Sequence, residues 1–101
     1  MTTDDSELEF SNMKRRYLER RNEDLLKLEE CLKDSDFLNA KFIAHRIKGT
    51  AVSYGFPEMG EWAERLDRSL RESGEEMSKE KLESELKLFK EILESLDEIE
   101  N

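Results

Sequence analysis

Apolar residues recur along this chain at intervals of three and four, and no stretch alternates with a period of two. The first spacing is that of an amphipathic helix and the second would mark a half-buried strand, so the pattern predicts helices and no strands. Met13, Tyr17, Leu25, Leu28 and Leu32 form the first long stripe, widened by Leu18 and Leu26, and predict a helix from roughly Met13 to Lys33. Before it, Ser6 with Glu9 three residues later fits a capping box. That box predicts a short first helix, ending near Ser11 or running on into the next.

Asp34-Ser35-Asp36 is a turn and N-cap cluster. The next stripe is Phe37, Ala40, Ile43, Ala44, Ile47, Ala51 and Tyr54, and Gly55 follows as a natural left-handed stop. Pro57 suits the first turn of another helix, where a missing N–H does no harm. That helix carries Met59, Trp62, Ala63, Leu66 and Leu70, and Gly74 closes it. Ser78 caps a last helix whose stripe is Leu82, Leu86, Phe89, Leu93 and Leu96, with Ile92 and Ile99 alongside.

Four amphipathic helices on short connections predict an all-α, antiparallel up-and-down four-helix bundle, with room for a short extra N-terminal helix. The length suits one domain over residues 1–101. Residues 1–5 and the last few are expected to fray.

Composition adds limits. Charged residues make up 43% of the chain and hydrophobic ones 36%, the profile of a bundle with solvated outer faces. The net charge of −9 disfavours nucleic acid as a partner, since phosphates need a basic footprint. No apolar run is long enough to cross a bilayer, and Met1-Thr2-Thr3-Asp4-Asp5 lacks the basic and apolar regions of a secretory signal. The single cysteine, Cys31, cannot form an internal disulfide and is expected as a buried helix residue in a cytoplasmic protein.

The candidate chemistry sits at the only histidine. On a wheel of about 100° per residue, His45 falls nearly opposite the buried stripe of its own helix, with Lys41, Lys48, Gly49 and Val52 around it. A free imidazole titrates near about pH 6.5, so at neutral pH its ring nitrogen is a nucleophile that needs no neighbouring base. Lys48 follows one turn later, where its ammonium can reach a group carried on the imidazole. A phosphoryl group, its charge spread over several oxygens, suits such a cation.

Gly49 is the direct surface neighbour of His45. Glycine inside a helix is less favourable than alanine by about 1 kcal/mol, a cost that makes sense where a partner must approach closely. Leu38, Phe42 and Val52 share this side and read as a docking patch, although the first helix has the option of covering some of it. Metal ligation is not expected, because there is no second histidine and Cys31 lies on another helix. Lys14-Arg15-Arg16 and Arg20-Arg21 read as a solvated face, Trp62 as a core anchor, and Glu75-Glu76 as surface charge.

The run His45-x-x-Lys48-Gly49-Thr50, with Gly55 six residues beyond Gly49, resembles the histidine-containing phosphotransfer (HPt) domain family. The Tyr17-Leu18-Glu19-Arg20 region, the helix from Pro57 to Leu70 and the closing helix also fall where that family has its helices. The resemblance implies a four-helix bundle with an exposed histidine midway along one helix. It implies a relay role too: a receiver-domain aspartyl phosphate, or a kinase, supplies a phosphoryl group to His45, which passes it to a response regulator.

On that analogy His45 is the phosphoacceptor, Lys48 steadies the phosphoryl charge, Gly49 clears space for the receiver, and Thr50 fills a small-residue position. No cofactor of its own is implied, and Mg²⁺ belongs to the receiver partner. The signature, with Gly55-Phe56 and Leu66, is similar as well to the phosphoacceptor domain of chemotaxis histidine kinases.

Three functions remain open at this point. A monomeric phosphocarrier without a nucleotide site is the first, in keeping with the lack of a Gly-rich phosphate loop. The second is a phosphoacceptor fragment of a sensor or chemotaxis kinase. Arg46, where sensor kinases place an acid, and the absence of a proline before Pro57 speak against the sensor type. The third is a module that binds receivers without accepting phosphate.

Overall fold

Helices form where the apolar stripes predict them: α1 (Asp5–Asp34), α2 (Phe37–Ala51), α3 (Pro57–Ser73) and α4 (Lys79–Glu100), with one 3₁₀ turn at Gly74–Glu76 and no strand among the described residues. The computed structural model describes the backbone of residues 5–100 and the side chains of 6–74 and 76–98. The expected fraying of the extreme ends, the stripe position Ile99 and the charge of Glu75 therefore fall outside the described parts.

There is no separate first helix. Ser6 lies inside α1, which runs unbroken to Asp34 because no glycine or proline interrupts residues 5–34. The described part of α1 opens at Asp5, one residue before Ser6. The other boundaries follow their local chemistry. Asp36 accepts a hydrogen bond from the Asn39 N–H at 3.2 Å, opening α2. At the far end the Phe56 N–H donates to the Ala51 carbonyl and the Gly55 N–H to that of Val52. This is a Schellman closure around Gly55 at φ 88°. The regular helix thus stops at Ala51, and Tyr54 packs from the turn rather than from α2. Gly74, at φ 55°, ends α3 with its N–H on the Leu70 carbonyl, and Ser78 Oγ accepts from the Lys81 N–H at 3.1 Å.

Each helix packs on two others, α1 on α2 and α4, α3 on α2 and α4, and among the described residues no backbones come close across either diagonal. This is a four-helix bundle, elongated to 56 × 20 × 16 Å. Between α2 and α3 the approach is close: a Cβ added at Gly60 would meet Val52 Cγ2 at 2.9 Å. Two residues along α3, Trp62 stacks on Phe89 with ring centroids 4.1 Å apart, and its Nε1–H donates to the Glu85 carbonyl at 3.0 Å. Cys31 is buried as expected.

Two expectations need correction. Leu26 does not widen the α1 stripe; it is 64% exposed, since about 100° per residue puts it on the far side from Leu25 and Leu28. Arg21 is not part of a solvated face. Its Nε lies 2.8 Å from Asp24 Oδ2, and both side chains are buried in a polar seam between α1 and α2. There Arg21 also covers the Tyr17 ring, Tyr17 stacks on Tyr54, and Asp24 Oδ1 accepts from Arg46 Nη2 at 2.9 Å. A buried carboxylate is tolerable only with such partners.

Candidate functional site around His45

The six core-facing residues of α2, Phe37, Ala40, Ile43, Ala44, Ile47 and Ala51, are all buried, which turns the opposite face outward. His45 stands on that face with its side chain 70% exposed. Leu38, Phe42 and Val52 are exposed beside it, so α1 does not cover them. Lys41 is half-buried, its Nζ 5.6 Å from the centre of the Phe42 ring. Gly49 is exposed, and a Cβ there would meet nothing within 4 Å. The predicted site residues are thus brought onto one continuous face.

The inner edge of the imidazole has a partner that the pattern of apolar residues did not reveal. Asp67 on α3 is buried, its side chain 1% exposed, and its Oδ2 lies 3.4 Å from His45 Nδ1. Lys48 Nζ lies 3.8 Å and Arg71 Nη2 3.2 Å from the same oxygen. Lys48 therefore joins the histidine through the carboxylate, on the Nδ1 side of the ring. Oδ1 of Asp67 is buried with no hydrogen-bond partner. Lys41, Phe42, His45, Asp67 and Arg71 together line an open hollow at the ring.

A signal for Asp67 existed in the sequence. It falls at the i+4 position after Ala63 and three before Leu70, within the buried stripe of α3, where an acid requires a cationic or hydrogen-bonding partner. Asp24 has the same signature between Tyr17 and Leu28 on α1. Thr50, by contrast, turns away from the site. Its hydroxyl donates to the Arg46 carbonyl at 3.2 Å and sits 2.7 Å from the Tyr17 hydroxyl, in the α1–α2 seam.

A family model described as the Hpt domain matches residues 12–101. The chain belongs to the Hpt domain family. No curated protein and no solved structure matches it. Hpt domains are phosphocarrier modules that serve histidine phosphotransfer in two-component signalling, interacting with receiver domains and kinases. Among the described residues of this Hpt domain, no helix is long and apolar enough to cross a membrane.

Proposed function

We propose that this Hpt domain is a phosphorelay intermediate whose phosphoacceptor is His45. The observation that carries this reading is an exposed imidazole whose inner nitrogen faces a buried carboxylate. Asp67 accepts the Nδ1–H of the neutral ring, which leaves the Nε2 lone pair directed at solvent. Nε2 attacks the phosphorus of a receiver's aspartyl phosphate, the P–O bond to the aspartyl carboxylate breaks, and that carboxylate leaves on the receiver. The product ring, still protonated at Nδ1, carries a positive charge that the Asp67 carboxylate offsets. Return of the group to a second receiver reverses these steps.

Lys48 and Arg71 rest on Asp67 at the Nδ1 side of the ring and swing toward Nε2 to set their cations beside the phosphoryl oxygens. The open space over Gly49 admits the receiver, and Leu38, Lys41, Phe42 and Val52 form the surface it docks on. Mg²⁺ is assigned to the receiver, and the domain works in the cytoplasm with no cofactor of its own.

Incubation with a phosphorylated receiver is expected to yield an acid-labile, alkali-stable phosphoramidate on this protein. His45→Gln should abolish the label and leave the helical circular dichroism unchanged. A variant that still labels would refute the assignment. Full receiver binding without any label on the wild type would favour a binding-only module.

A further inference from the structure

The N-terminal turns of α1 extend past the rest of the bundle. Thirty residues of helix span about 45 Å and the 22 of α4 about 33 Å, so among the described residues about the first two turns of α1 extend past the end of α4. They also precede the family match, which starts at residue 12. Yet they are not polar all round. Met13 at its base and Phe10 within it continue the heptad line of Tyr17 and stay 45% and 46% exposed.

The charges flanking that line are ordered by sign. With Phe10 and Tyr17 at a and Met13 at d, the e positions are Glu7 and Lys14 and the g positions are Glu9 and Arg16, each flank an acid followed by a base. Two such helices laid antiparallel oppose e to e and g to g. Glu7 then faces Lys14 of the second copy, whose Nζ lies 5.3 Å and 5.4 Å from the ring centres of its own Phe10 and Phe56, and Glu9 meets Arg16, each pair twice by symmetry. A parallel pair is blocked, because from Tyr17 onward the same face is covered by Tyr54 and Phe56 of the molecule's own bundle. In the antiparallel arrangement the two bundles lie at opposite ends. Glu7 of one helix then comes to the rim of the basic hollow formed by Met13, Arg16, Tyr17, Arg20 and Tyr54 of the other.

We propose that this overhang is a self-association surface, and that its occupant is a second copy of this chain, bound antiparallel through Phe10 and Met13 and oriented by the two charge flanks. The dimer leaves the His45 face open on both copies.

Sedimentation equilibrium of the full chain over a concentration series tests this. The wild type is expected to dimerise, more weakly as salt rises. Phe10→Glu should raise the dissociation constant about tenfold or more, the equivalent of roughly 1.4 kcal/mol. Glu9→Arg should weaken association as well, and adding Arg16→Glu to the same chain should restore it, an outcome that fraying of the overhang cannot produce. His45→Gln should dimerise as the wild type does. A monomer at every concentration overturns the proposal. So does a dimer indifferent to Phe10→Glu, or one that the charge exchange fails to restore.

Discussion

Asp67 Oδ2 is the meeting point of three cationic or proton-bearing groups, those of His45, Lys48 and Arg71. His45, Lys48 and Gly49 were legible because their spacing is local: one helix turn brings them together wherever the helix lies. That Asp67 and Arg71 meet His45 was not, since 22 residues separate Asp67 from His45 and only the packing of α3 on α2 joins them. Asp67→Asn keeps the shape of the side chain and removes its charge. Receiver-to-domain transfer is expected to slow by about tenfold, roughly 1.4 kcal/mol of barrier, with the thermal midpoint little changed. Rapid-quench transfer kinetics beside a melting curve would check this. Unaltered kinetics would reduce Asp67 to an anchor for Lys48 and Arg71.

At the scale of elements, the four helices and their caps could be drawn from the chain because each boundary rests on nearby residues: Asp36, Gly55, Pro57, Gly74 and Ser78. What could not be drawn was the distance between helices. The two interior glycines make the point, since the sequence pointed to an outside partner at Gly49 but gave no sign of what lies over Gly60. Gly49 faces open space, whereas Gly60 lies under Val52. Gly49→Ala is therefore expected to stabilise the bundle by about 0.5–1 kcal/mol. Gly60→Ala should destabilise it by about 1–2 kcal/mol through overpacking, and Val52→Ala in the same chain should recover most of that loss. Urea titrations of the three variants decide it. Equal stabilisation by both alanines would mean that α2 and α3 are not held so close.

For the molecule as a whole, Cys31 offers a probe of folding. Burial, and after it the carboxylates of Asp36, Asp34 and Glu30, push its thiol above the ordinary range. The folded chain then keeps a proton that the unfolded chain releases. Stability is untouched while both states are protonated, and it falls as pH rises through the ordinary thiol range near about 8.5. Urea midpoints between neutral and alkaline pH should decline more steeply for the wild type than for Cys31→Ala. Parallel declines would leave the thiol no part in the effect. One further consequence concerns α2, which is gripped from both flanks: Asp24 of α1 holds Arg46, and Asp67 of α3 holds His45, its immediate neighbour. Turning the helix by a single residue would break both holds together. The imidazole is thus presented at a fixed azimuth, and in the proposed relay this leaves selection among receivers to the rim around the ring.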